Sequence, residues 1–422
     1  MQPNARDAVL RAVESARDEI VALTQQLVRI PTVNPPGDAY EPCARLLGET
    51  LTRGGFAVEY IVAEGRPEHT VQHPRVNVFG RRRGLTDRPT VHLNGHIDVV
   101  PVGHGWTMDP FAATVRDGRI FGRGVADMKG GLAAAVMAVE AIRRAGVTLR
   151  GSVEVSGTVD EESGGWAGVA HLARIGRLTS ATADFVIIPE PLNVDRICIG
   201  HRGVWWCDIV TRGHIAHGSM PYLGVSAIEH MGEVLHEIRE VLLPALAMRR
   251  TAMPVVPEGS RQATLNINTI VGGQVGHEVQ SPCVADECRA IVDRRFLPEE
   301  GFEATRQELV DLLERVRKRI PRFVYELHDR LVVEPVATPR SSPVVTALGR
   351  AIADVLGREA QLVASPGTYD HKHVTRLGGI RDCVAYGPGV LEVSHQPDEW
   401  LAIDDLVAAT QVLALGVGEL VG

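Results

Sequence analysis

The 422-residue sequence predicts an α/β protein with a second, α+β domain inserted into it. Three observations carry that expectation. Acidic or histidine-bearing motifs fall where apolar strands end, with helices between the strands, which is the pattern of an open α/β sheet. Near residue 200 the element order changes to β-α-β-β-α-β. After Glu334-Pro335 the first pattern returns. The expected boundaries are residues 1–199 with 336–422 for the first domain and 200–335 for the insert.

Residues 7–30 carry apolar side chains at helical spacing and predict a helix that stops before Pro31. Tyr40 to Gly54 reads as a second helix, closed by Gly54-Gly55. Strands are expected at Phe56–Val62, Arg75–Phe79 and Thr90–Leu93. Glycine-rich residues 121–131 (FGRGVADMKGG) then lead into an alanine-rich helix, Leu132–Ala145. The glycines permit a close, irregular backbone around Asp127. The GxxxxGK[ST] order of a phosphate loop is absent. Gly151–Val159 is an alternating strand that ends in Asp160-Glu161-Glu162, and Asp184–Ile188 is an apolar strand that ends in Pro189-Glu190-Pro191.

The insert reads as strand Val204–Arg212, amphipathic helix Val225–Leu243, strands Ala263–Val271 and Val284–Phe296, helix Pro298–Ile320 and strand Phe323–Val333. This order matches a ferredoxin-like plait. The later helix has acids at its start and bases at its end, as the helix dipole favours. The chain closes with helix Pro343–Leu356, strand Ala360–Ala364, a short strand around Ala385 and helix Ile403–Val421.

Composition narrows the classes. Hydrophobic content of 45% and charged content of 23% are those of a soluble globular protein. A formal net charge of −8 gives no reason to expect nucleic acid, and the clusters Arg81-Arg82-Arg83 and 315–319 read as solvated surface. No run of about 18 apolar residues marks a membrane span, and the first residues lack the apolar core of a signal peptide. Six cysteines without a CxxC fit reduced thiols in a cytosolic protein. No serine has the GxSxG context of a serine hydrolase.

The polar residues at the strand ends are His96, Asp98, Asp127, Glu161, Glu162, Glu190 and His395. His96 and Asp98 lie two apart, on one side of an extended backbone, so the carboxylate can accept the second ring N–H of the imidazole. Nitrogen and oxygen donors without sulfur suit Zn²⁺, Co²⁺ or Mn²⁺. Two cations that share a carboxylate need two histidines and three carboxylates, and a fourth carboxylate then remains to act as a base. The sequence supplies that inventory.

Five motifs carry a resemblance: GHIDVVP (95–101), GRGVADMKGG (122–131), DEE (160–162), IPEP (188–191) and SHQPDE (394–399). In this order the chain resembles, over nearly its whole length, the family of co-catalytic zinc aminoacylases and carboxypeptidases. That family includes acetylornithine deacetylase, succinyl-diaminopimelate desuccinylase and a bacterial glutamate carboxypeptidase. The resemblance implies a metallopeptidase-type catalytic domain with a mixed sheet flanked by helices, and an inserted lid and dimerisation domain. It implies Asp127 as bridging ligand, His96 and Glu190 at one metal site, and Glu162 and His395 at the other. Asp98 would orient His96, Glu161 would be the general base, and a cis peptide would follow Asp127. His217, in GHIAHGSMP (213–221), would reach the partner subunit's active site. Asn268 and Arg295 would bind the substrate carboxylate or oxyanion, with His214 and Arg294 as neighbouring competitors for His217 and Arg295. Residues 367–373 (GTYDHKH) depart from the commoner small-residue pattern, which opens the identity of the substrate.

The resulting expectation is a cytoplasmic, metal-dependent hydrolase with one or two Zn²⁺ ions per subunit, Co²⁺ or Mn²⁺ being alternatives. It would cleave the amide bond of a small N-acyl amino acid as a homodimer joined through the insert, with no nucleic-acid or membrane partner. One rival is a hydrolase of another C–N bond on the same scaffold: a dipeptide, a carbamoyl group or an aryl amine. The other is a non-catalytic binding protein, which would have lost a ligand or the base; neither is missing.

Overall fold

The computed structural model describes residues 1–273 and 282–422. The chain divides into two compact units. The first comprises Met1–Gly200, Ala337–Val363 and Tyr369–Gly422; the second comprises His201–Val336 and Ala364–Thr368.

The first unit is built on a mixed sheet with strands in the order Ala57–Val62, Val76–Arg82, Ser152–Thr158, Thr90–His96, Phe185–Pro191, Cys383–Gly387, Arg196–His201 and Val336–Ala337. Gln361–Ser365 also pairs with Arg196–His201. The middle is parallel: Thr90–His96 runs with both Ser152–Thr158 and Phe185–Pro191, and Cys383–Gly387 runs with Phe185–Pro191. Every residue of Thr90–His96 and Ser152–Thr158 is buried, as expected of parallel strands covered on both faces. Helices Tyr40–Arg53, Gly130–Arg144, Pro343–Leu356 and Ile403–Val421 pack against this sheet and share its apolar core. Gly131 shows how tight the packing is: a Cβ there would sit 1.9 Å from the Pro189 carbonyl oxygen. Only glycine lets the loop that carries Asp127 lie against the strand that carries Glu190.

The second unit has a four-stranded antiparallel sheet, ordered Thr264–Gly272, Glu287–Phe296, Gly203–Arg212 and Val324–Val333. Helix Ala227–Glu237, continued by Ile238–Leu242 and Leu243–Ala247, and helix Phe302–Arg319 complete its separate core around Trp205, Met231 and Leu312. Trp205 is buried and Trp206 exposed, the alternation of a sheet with one covered face.

Several elements differ from the sequence expectation. Residues 7–30 form two helices, Pro3–Ser15 and Arg17–Val28, broken at Ala16. Asp18 and Glu19 open the second, where acids offset the dipole, and the apolar period does not register the break. Strand Arg196–His201 was unexpected, as was a small sheet of Trp400–Ala402, Arg119–Phe121 and Thr114–Arg116. Those three-residue strands are too short to show a period. The same holds for the six-residue helices Val169–Arg174 and His371–Arg376.

Candidate active site

Parallel neighbours end together, and that gathers the polar residues. His96 is the last residue of its strand and is paired in register with Thr158, so Glu161 and Glu162 follow directly beside it. Asp160 opens their turn with a left-handed φ of 61°. It is locked there by the Tyr40 hydroxyl at 2.8 Å and Arg75 Nε at 3.0 Å. Glu190 lies in the next parallel strand, Phe185–Pro191. Asp127 lies in the turn ahead of Gly130–Arg144, and the Asp127-Met128 peptide is cis. His395, also at positive φ, lies in the loop that follows Cys383–Gly387.

Asp127 stands between the two imidazoles. Its Oδ1 is 3.1 Å from His96 Nε2, and its Oδ2 is 3.5 Å from His395 Nε2. His395 Nε2 is also 3.0 Å from Glu162 Oε1. One donor atom each from His96, Asp127 and Glu162 falls within a 4.8 Å group. Glu190 is buried within electrostatic reach of Asp127, His96 and Glu161.

One expectation needs correction. His96 Nδ1 donates to the backbone carbonyl of Asp98 at 2.9 Å, and the Asp98 carboxylate stands off at 3.6 Å. The carboxylate instead accepts from Asn34 Nδ2 at 2.9 Å and from the backbone N–H groups of Glu161 (3.2 Å) and Glu162 (3.1 Å). Asp98 thus orients the His96 ring through its main chain, turning Nε2 toward Asp127, and anchors the glutamate turn through its side chain.

Arg123 and Glu399, which the sequence reading did not assign, join the two halves of the site. Glu399 accepts from the backbone N–H groups of Ala126 (2.9 Å) and Asp127 (3.2 Å) and pairs with Arg123 Nη1 at 2.7 Å. Arg123 in turn donates to the carbonyls of His395 (3.3 Å) and Gln396 (3.2 Å). One buried ion pair therefore positions both Asp127 and His395. The only signal in the sequence was that each residue sits inside a motif read for its neighbours.

The electrostatics call for positive charge. Hydrogen bonds that His395 donates to Asp127 and then Glu162 push its pKa up to about 10. Burial alone would lower the His96 pKa, but the Asp127 hydrogen bond and the charges of Asp98 and Glu190 carry it well above the usual imidazole range. Burial pushes Glu162 up to about 7 and Glu190 well above the carboxylate range. Asp127 is held low: burial opposes this, and the two imidazole hydrogen bonds outweigh it. Protons on the histidines here do what a divalent cation does on the same atoms, and the nitrogen–oxygen donor set suits such a cation.

His217, Asn268 and Arg295 lie on the second unit, where their contacts are local. His217 is exposed, and its Nδ1 accepts from the Ser219 N–H at 3.1 Å. Asn268, exposed at an irregularity between Ile267 and Thr269, accepts from Asn266 Nδ2 at 2.6 Å. Arg295 binds Asp293 through two nitrogens, at 2.7 and 3.0 Å. Its competitor Arg294 is buried and pairs with Glu300 at 2.5 Å, a core role.

An open mixed α/β sheet with imidazoles and carboxylates at its strand ends defines a hydrolase class built around a possible cation site. The chain belongs to peptidase family M20/M25/M40, whose family model matches residues 92–417. It is accordingly a hydrolytic enzyme acting on C–N bonds. Among similar proteins, N-formyl-4-amino-5-aminomethyl-2-methylpyrimidine deformylase of Bacillus subtilis is 28% identical, over 96% of this chain and 95% of its own. Succinyl-diaminopimelate desuccinylase of Dechloromonas aromatica is 31% identical, over 92% of this chain and 95% of its own. The fold is shared with the M20 family metallo-carboxypeptidase Sso-CP2 of Sulfolobus solfataricus, with a TM-score of 0.74 at 21% identity over 95% and 99% of the two chains. It is also shared with the Bacillus subtilis YXEP protein, described as a dinuclear metal-binding peptidase, with a TM-score of 0.66 at 17% identity over 96% and 98%.

Proposed function

We propose that this chain is a metal-dependent amidohydrolase that removes a small acyl group from the amine of an amino acid or similar small carboxylate. One observation carries the reading: the Asp127 carboxylate presents one oxygen to His96 and the other to His395, with Glu162 against His395. In this reading His96, Asp127 and Glu190 hold one divalent cation, and Asp127, Glu162 and His395 hold a second. Bound cations supply Lewis acidity at the amide carbonyl and lower the pKa of water. Glu161 is the base. Its side chain is only 11% exposed, and its backbone N–H is tied to Asp98. It takes a proton from the attacking water and delivers it to the leaving amine nitrogen as the C–N bond breaks. Asp98, Arg123 and Glu399 hold these groups in place.

Two of the similar proteins named above, which cover this chain over more than nine-tenths of its length, are a deformylase and a desuccinylase, which favours a small acyl group over a long peptide. Zinc is the proposed cation, with cobalt or manganese as substitutes. Dimerisation through the second unit is supported by its edge strand Thr264–Gly272, where Ile270 and Val271 are exposed. His217, Asn268 and Arg295 are proposed to bind substrate, Arg295 by exchanging Asp293 for a substrate carboxylate. Six cysteines outside any disulfide suit a reducing, cytoplasmic compartment, and no helix among the described residues is long and apolar enough to cross a membrane.

The test is amine release from N-formyl, N-acetyl and N-succinyl amino acids by metal-stripped protein, with and without added Zn²⁺, Co²⁺ or Mn²⁺. Metal-restored cleavage of at least one series is expected. Metal-loaded protein that leaves all three intact and cleaves dipeptides would move the reading to the dipeptidase alternative.

Cation uptake is also expected to release protons. His395, held at about 10, carries a proton at pH 7.5 in the metal-free chain, and, against the effect of burial, the Asp127 hydrogen bond shifts His96 in the same direction. A protonated imidazole must lose its proton to ligate. Apparent affinity therefore rises with pH by about tenfold per unit for each proton displaced, and more steeply below about 7, where Glu162 is also protonated. Calorimetry in buffers of different ionisation heat reads the proton count; uptake without release would remove the histidines from the ligand set.

A further inference from the structure

The segment that departs from the family pattern packs against the glutamate turn. Lys372 brings its ammonium to 3.5 Å from Glu161 Oε1, and the two side chains are 8% and 11% exposed. A lysine is rarely buried without a partner, and here the partner is the proposed base.

The placement is fixed from both sides. Asp370, at the start of helix His371–Arg376, accepts from Asn94 Nδ2 at 3.1 Å, and Asn94 lies two residues before His96. Asn94 is itself held by Ser156 Oγ at 2.7 Å. On the other side, His373 Nε2 donates to the Gly164 carbonyl at 2.7 Å, and its ring lies 4.8 Å from that of Trp166. Gly165 completes the contact: a Cβ there would sit 2.5 Å from Asp370 Oδ1. Asp370 thus ties the short helix to Asn94 and His373 ties it to the 160–166 turn, with Lys372 directed at Glu161 between them.

The distance matters. At 3.5 Å the pair attracts by charge but lies beyond a normal hydrogen bond. The carboxylate oxygen keeps its lone pairs available to accept a proton. We propose that Lys372 is a positioning residue for Glu161, holding the base in one orientation by charge while leaving it free to accept the proton of water. The inference rests on the reading of Glu161 as base. In that reading Lys372 exchanges no proton and touches no reacting atom.

The test is a double-mutant cycle on the full-length, zinc-loaded protein, with N-formyl, N-acetyl and N-succinyl amino acids as probes. Misplacing a catalytic group by about 1 Å can cost 10²-fold. Lys372→Met is therefore expected to lower kcat by about 10²-fold, with KM changed less than about threefold and zinc stoichiometry unchanged; Lys372→Arg should recover at least about a tenth of the lost rate. In a Glu161→Gln background, Lys372→Met should cost less than about threefold more, because its effect runs through the missing carboxylate. Independent losses in the double variant would overturn the proposal. So would a raised KM at unchanged kcat, which would mark a substrate anchor instead.

The same cycle read by urea unfolding needs no substrate. The effects of the two single changes on the unfolding equilibrium should be non-additive by about fivefold or more, and additivity would overturn the pairing. Should Lys372→Met not fold, Lys372→Gln and the double variant, which has no unpaired charge, complete the cycle. The two readings separate cleanly: full activity in Glu161→Gln defeats the base assignment, whereas an inactive Glu161→Gln beside a fully active Lys372→Met defeats only the role of Lys372.

Discussion

Replacing Glu161 with glutamine is expected to lower kcat by about 10²–10⁴-fold, the range that general acid–base catalysis supplies, with no loss of the cations proposed for the neighbouring ligands. Glutamine fills the same volume and keeps the backbone N–H that donates to Asp98 at 3.2 Å. Its amide cannot take a proton from water or return one to the amine. Glu162, the neighbouring proposed ligand, is untouched, and its contact with His395 at 3.0 Å does not pass through Glu161. Steady-state kinetics beside a zinc count measures both halves of the expectation. A variant that lost zinc together with activity would recast Glu161 as a ligand.

Asp127→Asn is expected to fail differently, losing cation and activity together. The wild-type carboxylate offers an oxygen to each imidazole, whereas an amide offers one oxygen and one NH₂. One of the two sites then faces a donor in place of an acceptor, and the shared negative charge is gone. The backbone of residue 127 remains held by Glu399, so the fold should survive the change. Several kcal/mol of transition-state stabilisation come from bound cations, so the rate should fall by ~10³-fold or more. Zinc affinity should drop beyond the 10–100-fold typical of losing a supporting hydrogen bond to a ligand. Two zinc ions held at wild-type affinity in this variant would remove Asp127 from the bridging role.

The difference between these variants matches what could be read from the sequence. His96, Asp127, Glu162, Glu190 and His395 could be collected as candidates because they fall within short motifs near strand ends and turns, and their proposed roles came from the family resemblance. The sheet was legible from the same punctuation. What was not legible depends on pairings over long separations. Glu399 meets Arg123 from 276 residues away, and nothing local marks either as the other's partner. Asp98 was correctly placed beside His96, but spacing does not reveal which of its oxygens faces the ring: the carbonyl does, and the carboxylate turns to the glutamate turn. Lys372 lies in a six-residue helix too short to show a period, and its orientation is set by Asn94 and Gly164, far away in the chain.

The discontinuity of the first unit has a consequence for biosynthesis. Strand Cys383–Gly387 occupies the place between Phe185–Pro191 and Arg196–His201 in the sheet. Lys372, His395 and Glu399 likewise come after the whole of residues 201–336. While the ribosome translates the second unit, the half-made sheet therefore lacks an interior strand, and the donor set lacks one imidazole and the pair that anchors Asp127. The second unit, nearly continuous in sequence, is under no such constraint. Completion of the proposed donor set thus belongs to the end of synthesis, after the C-terminal segment has entered a sheet whose first five strands precede the whole of the second unit.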